Sequence, residues 1–280
     1  MRILPYVTAL FVAACTVAFA QDAFAGKIML TGHTDYRDGV GGEFNIKAHD
    51  AGGFALLDGA LSDAYFTANG TTPGTADGTE MNAGFNGLLG VQTFCLEYNE
   101  YIELGGVYDA AISTGSIYGG VAGGVDPDGV GPLPKTDQIS IGTAYLYTLF
   151  ATGSLSGYNY TNGSGRESSA VMLQKAIWYL EDEITLTDAQ KNSNTFLTGA
   201  LGAITLFGDG SGVGVGGAKA NNDFTQYQVG ALNLWSDGKP KQDQLILLPA
   251  PERKVPDGGA TAVLLGFALT GLARLRGRRD

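Results

Sequence analysis

The sequence predicts an α+β fold, a β-rich body of sandwich or barrel-like form with a small helical layer, and three observations predict it. Forty-three glycines gather in turn clusters, thirteen tyrosines and thirteen phenylalanines sit in or beside the short apolar runs between them, and two segments break this pattern with helical spacing. Aromatic residues in short runs fit a pleated surface, and closely spaced glycine clusters mark turns. Segments 70–78, 119–131 and 208–217 read as exposed loops. No fixed-period repeat is present, so a solenoid is not expected.

The chain opens with Met1-Arg2, an apolar run from Ile3 to Ala20, and two small-residue sites, Ala18-Phe19-Ala20 and Ala23-Phe24-Ala25. A basic start, an apolar stretch and an A-x-A site describe a secretory signal peptide over residues 1–25. Cleavage after Ala20 or Ala25 leaves a mature chain beginning at Gln21 or Gly26. Val12-Ala13-Ala14-Cys15 offers a lipoprotein box as the alternative, although the apolar run continues past Cys15.

The exported body, 26–248, holds the core elements. Val91-Gln92-Thr93-Phe94-Cys95-Leu96-Glu97 reads as a strand on which alternation puts Cys95 with Val91 and Thr93, opposite Phe94 and Leu96. Thr136-Asp137 is expected to cap a helix from about Gln138 to Ala151, ended by Gly153. A second helix is expected from about Glu167 to Glu183, with Val171, Leu173, Ile177, Leu180 and Ile184 as its apolar stripe. Val229 to Trp235 and Gln244 to Leu248 read as final strands before a linker, 249–254.

Lysine and arginine number 17 and aspartate and glutamate 28; removing Arg2, the four C-terminal arginines and Asp280 leaves 12 basic against 27 acidic residues, a net charge of −15. Such a surface repels nucleic acid and anionic membranes.

The chain closes with Val255-Pro256-Asp257-Gly258-Gly259, an apolar run from Ala260 to Ala273, and Arg274, Arg276, Arg278 and Arg279. The run is shorter than the ~20 residues of a usual spanning helix, and the arginines would hold its end on the cytoplasmic side. Residues 255–280 resemble the PEP-CTERM sorting signals of Gram-negative bacteria, in the variants that start Val-Pro-Asp. The resemblance implies an exosortase-type membrane protease as partner, a transient inner-membrane intermediate, and delivery to the cell surface or extracellular matrix. A plain C-terminal membrane anchor is the simpler alternative.

Cys15 leaves with the signal peptide, so the mature chain has one cysteine, Cys95. A lone cysteine in an oxidising compartment is either buried and inert or chemically committed. Gln174, in Leu173-Gln174-Lys175-Ala176-Ile177-Trp178, lies within one helical turn of Ala170, Val171, Ile177 and Trp178, and its amide is expected to be at least partly buried. A buried amide without partners costs roughly 1–3 kcal/mol. Cysteine in Phe-Cys-x-Glu on a strand and glutamine in Leu-Gln-x-Ala-Ile-Trp on a helix resemble the thioester domains of bacterial surface adhesins, with Leu173 where that family commonly has threonine. The resemblance implies an internal thioester between Cys95 and Gln174, shielded by Phe94 and Trp178, that captures an amine from a neighbouring surface protein.

Elsewhere the sequence offers less. His33, Asp35, Asp38 and His49 share no metal-ligand spacing, Asp126-Pro127-Asp128-Gly129 suits a turn, and Gly212-x-Gly214-x-x-Gly217 is not followed by an amphipathic helix. Glu97, Glu100 and Glu103 are expected to form a solvated acidic edge. No cofactor, metal or catalytic residue is expected. Two alternatives to the covalent adhesin remain: a structural or polysaccharide-associated biofilm matrix protein with an inert buried cysteine, and a secreted hydrolase for which no carboxylate pair stands out among the 28 acidic residues.

Overall fold

The computed structural model describes residues 26–31, 37–38, 41–57, 91–117, 136–161, 163–206, 215–222, 224 and 226–249. The signal peptide, most of the linker, the Val255-Pro256-Asp257 motif, the arginine tail and most of the glycine loops lie outside them. Among the described residues no helix is long and apolar enough to cross a membrane. The chain divides into two compact units, 1–248 and 249–280.

Six strands wrap into a nearly closed barrel. β3 (Gly41–Ala48) pairs with β1 (Gly26–Thr31), β1 with β5 (Val107–Ser113), β5 with β8 (Val229–Ser236) and β8 with β9 (Lys239–Leu247), all antiparallel. β4 (Val91–Phe94) lies on β3, with Glu43 opposite Phe94 and Ile46 opposite Val91. The seam between β4 and β9 is closed by a single bridge, Cys95 with Gln244, and by two stitches. Leu96 donates its N–H to the Asp243 carbonyl at 3.0 Å, and the Thr93 hydroxyl donates to the Leu245 carbonyl at 2.7 Å. The short β2 (Arg37–Asp38) extends β3 at Gly41–Gly42, and β6 (Gly115–Ile117) pairs with β7 (Thr136–Gln138) as a separate ribbon.

Alternation divides the strands between two cores. Ile28, Leu30, Phe44, Ile46, Val91, Cys95, Leu232, Leu234 and Ile246 meet inside the barrel, with α1 (Ala51–Leu57) contributing Leu56 and Leu57. The opposite face of β4, β8 and β9 presents Phe94, Val229, Ala231, Leu245 and Leu247 to the helices. Those helices are α2 (Ile141–Ala151), α3 (Ser164–Leu180), α4 (Asp188–Ser193), α5 (Thr195–Leu206) and the single turn α6 (Val215–Ala218). β4 is buried on both faces along its whole length, and its two polar residues, Gln92 and Thr93, are buried with it.

Three expectations are corrected. Thr136–Gln138 forms β7, so its backbone is engaged in a ladder and Ser140 takes the N-cap of α2, its Oγ accepting the Thr143 N–H at 3.2 Å. The far end behaves as expected: Gly153, at φ +68°, closes a Schellman turn with bonds to Phe150 and, through Ser154, to Leu149. Second, α3 runs three residues earlier than expected. Gly163, at φ +127°, precedes it, and Asp182, at φ +61°, ends it, with Glu183 returning its N–H to the Trp178 carbonyl. Val171 and Ile184 are therefore only half-buried, whereas Leu173, Ile177 and Leu180 lie in the core. Third, Gly217 is buried in α6 rather than exposed in a loop. The final hairpin runs longer than expected because Asp237-Gly238, at φ +53° and +70°, makes the two-residue turn that matches strand twist.

Candidate functional site

The site forms where α3 lies across the end of the β3–β4 ladder. Arg166, Ala170, Gln174 and Trp178 recur every four residues along α3 and so project from one face of the helix. All four are buried. Arg166 anchors the stripe: its Nε donates to Glu43 Oε2 at 2.9 Å and its Nη2 to Glu43 Oε1. The side chains of this ion pair are 0 % and 1 % exposed. Tyr158 Oη adds a bond to Glu43 Oε2 at 2.6 Å, and Arg166 Nη1 reaches the Tyr160 carbonyl at 3.1 Å. This network fixes α3 on β3 one residue from Gly42.

Two helical turns further on, the Gln174 amide occupies the gap where β3 and β4 part. One step beyond the Glu43–Phe94 pair, Gly42 and Cys95 no longer bond each other. Gln174 Oε1 instead accepts the Cys95 N–H at 3.0 Å and the Gly42 N–H at 3.1 Å, while its Nε2 donates to the Cys95 carbonyl at 2.8 Å. Gly42 sits at φ +150°, a conformation that favours glycine. Cys95 is wholly buried and forms no disulfide. Its Sγ lies 3.6 Å from Gln244 Nε2, the neighbouring group across the seam.

The structure thus brings Cys95, Gln174 and Trp178 together, but not Phe94. Trp178 shares the inner core with Cys95, whereas the Phe94 ring points to the helical side and meets Phe150 edge-on at 4.9 Å. The alternation that puts Cys95 inward necessarily puts Phe94 outward. The outer cover is Tyr98, 43 % exposed, whose ring stands edge-on to Trp178 at 5.0 Å. Glu183 holds this cover by accepting the Tyr98 N–H at 2.8 Å. The sequence reading missed Tyr98, and also Arg166, which lies just before the expected helix start. The four-residue step back from Gln174 through Ala170 was the signal for Arg166; Glu43 had none.

Gly41 shapes the wall behind Trp178. A Cβ at Gly41 would lie 2.2 Å from Trp178 Cη2 and 3.0 Å from Gln174 Cγ, so Gly41→Ala displaces the ring. We expect about 1–3 kcal/mol of destabilisation, typical of overpacking, read by urea unfolding, together with a shift of the Trp178 emission. An unchanged spectrum and midpoint would show that the ring does not press on Gly41.

Of the expected solvated acidic edge only Glu103 is exposed. Glu97 is 2 % exposed and Glu100 half-buried, because the chain after Cys95 turns in beside β9 instead of running on into solvent. The candidate His33 and Asp35 lie outside the described residues, as do side-chain details of Asp38; His49 is exposed.

Comparison with known proteins adds one match. Residues 254–279 match the VPDSG-CTERM motif, which supports a PEP-CTERM-type sorting signal and implies an exported chain recognised by an exosortase-type system and directed through the membrane to the cell surface or extracellular space. No curated protein and no solved structure matches this chain.

Proposed function

We propose that this sorted protein is a covalent adhesin, joined to amine-bearing surface proteins through an internal thioester between Cys95 and Gln174. One observation carries the reading. The Gln174 carbonyl oxygen accepts two backbone N–H groups, from Gly42 and from Cys95 itself, so the carbonyl is polarised beside the residue that carries the thiol. Paired N–H donors at about 3 Å stabilise the oxyanion of an acyl-transfer intermediate. In the first step the Cys95 sulfur bonds to Gln174 Cδ, the C–N bond breaks, and the nitrogen leaves as ammonia, taking the thiol proton. In the second an amine attacks the same carbon, an amide forms, and the sulfur departs and recovers a proton as Cys95 thiol. Burial under Trp178 and Tyr98 keeps water from the acyl group in between.

The test is the intact mass of the mature protein, purified from its host or periplasm, before and after methylamine. The expected mass is short of the sequence by one ammonia and then gains one methylamine, with both changes abolished by Cys95→Ala and by Gln174→Ala. A second reading is favoured by the three hydrogen bonds of the Gln174 amide: it completes a ladder that would otherwise leave buried backbone groups orphaned, in a matrix protein without chemistry of its own. An unshifted mass, with a Cys95 thiol that labels only after unfolding, selects that reading and overturns the adhesin.

A further inference from the structure

We infer that Glu97, Glu100 and Asp243 form a binding site for a hard divalent cation, of the calcium class, at the barrel seam. Each offers a carboxylate oxygen, and these three oxygens lie within 4.8 Å of one another. Proximity alone would mean little; the second observation is the state of Glu97. Its side chain is almost wholly buried, yet neither carboxylate oxygen has a hydrogen-bond partner at bonding geometry, the Ser116 hydroxyl standing near without completing one, and Glu100 Oε2 is likewise buried without a donor. Asp243, by contrast, is well supplied: Oδ1 accepts the Leu234 N–H at 3.0 Å, and Oδ2 accepts the Ile117 N–H and Asn233 Nδ2, each at 2.7 Å.

A buried carboxylate without donors is costly unless a proton or a cation shares the space. Burial first, with Glu100 and Asp243 adding to it and the Ser116 hydroxyl opposing, raises the Glu97 carboxyl above its usual range; burial also raises Glu100, against the pull of Glu97 and Lys241. Carboxylate oxygens alone, with no sulfur or imidazole, suit calcium or magnesium rather than zinc or copper. Calcium completes its shell with water, which the half-buried Glu100 admits from the surface. The ion would tie the 95–100 segment to β9. That segment is already drawn in by Gln242 Nε2, which donates to the Glu97 carbonyl, and by the Leu96–Asp243 backbone bond. The inference is independent of the thioester, since no ligand belongs to Cys95 or Gln174.

The test is thermal unfolding of the mature chain in EDTA and in excess calcium chloride at pH 7, alongside terbium luminescence excited through tyrosine and tryptophan. At a hundredfold excess over Kd, calcium is expected to raise Tm by roughly 5–10 °C, and terbium to bind and be displaced by calcium. Glu97→Gln and Glu100→Gln should each abolish the shift and the luminescence; Glu100 is half-buried, so its variant keeps the test valid if Glu97→Gln fails to fold. Identical melting in EDTA and calcium, or a shift that survives Glu100→Gln, overturns the site and leaves a proton shared among the three carboxyls.

Discussion

Replacing Arg166 by methionine is expected to lower the unfolding free energy by about 3–5 kcal/mol. The guanidinium and the Glu43 carboxylate are both removed from solvent, so solvent screens neither. Methionine fills much of the arginine volume, but it leaves Glu43 buried with only the Tyr158 hydroxyl as donor. The cost is therefore the stranded charge rather than lost packing. Glu43→Leu should be similarly harmful, since it removes the carboxylate that accepts two N–H groups of the buried guanidinium and leaves that charge uncompensated beside β3. The double variant Glu43→Leu/Arg166→Met is expected to recover most of the loss, because two apolar side chains of similar size leave no charge behind. Urea unfolding of the three variants measures the coupling. Additive losses would show that the two groups act separately, and that α3 does not depend on the pair for its seat on β3.

Exchanging Glu181 for glutamine should flatten the pH dependence of stability between pH 4.5 and 8. Glu181, at the C-cap of α3, is pushed up to about 7, chiefly by burial; the nearby Thr143 and Ser140 hydroxyls oppose the shift and Asp137 adds to it. Ser140 donates to Glu181 Oε1 through its N–H at 3.1 Å and its hydroxyl at 2.7 Å. Because the folded value lies above the unfolded one, the folded chain keeps a proton that the unfolded chain gives up. This stabilisation is complete below about pH 4.5 and is lost as pH rises through 7, at up to about 1.4 kcal/mol per pH unit and about 3 kcal/mol in all. Glutamine can still accept the two Ser140 bonds and has no proton to lose. The variant and the parent should therefore match near pH 4.5, with the variant more stable by up to about 3 kcal/mol at pH 8. Urea midpoints across this range, measured in EDTA to keep the carboxyl cluster at the seam in one state, decide it. Parallel profiles would show that Glu181 is ionised throughout.

Both predictions concern residues that bind α3 to its surroundings, and α3 also shows where sequence reading succeeds and stops. Its register was legible to within three residues because Leu173, Ile177 and Leu180 recur at the helical period, and the caps that shifted it, Gly163 and Asp182, act through backbone angles that composition does not display. The burial of Gln174 followed from its neighbours within one turn. Strand alternation put Cys95 and Phe94 on opposite faces without saying which face turns inward, and the expected shielding of Cys95 by Phe94 fails because the inner face belongs to Cys95.

What only the tertiary structure decided is what each of these side chains meets. The Gln174 amide stands between Gly42 and Cys95 because β3 and β4 part there, and no local pattern announces where a ladder between distant segments ends. Glu43 finds Arg166 and Glu97 finds Asp243 across more than a hundred residues of chain. Periodicity records which face of an element turns away from water, since every turn or pair of residues repeats that demand. It holds no record of the partner on the other side, because a pairing across the barrel is made once, and its energy depends on geometry that neither segment carries alone.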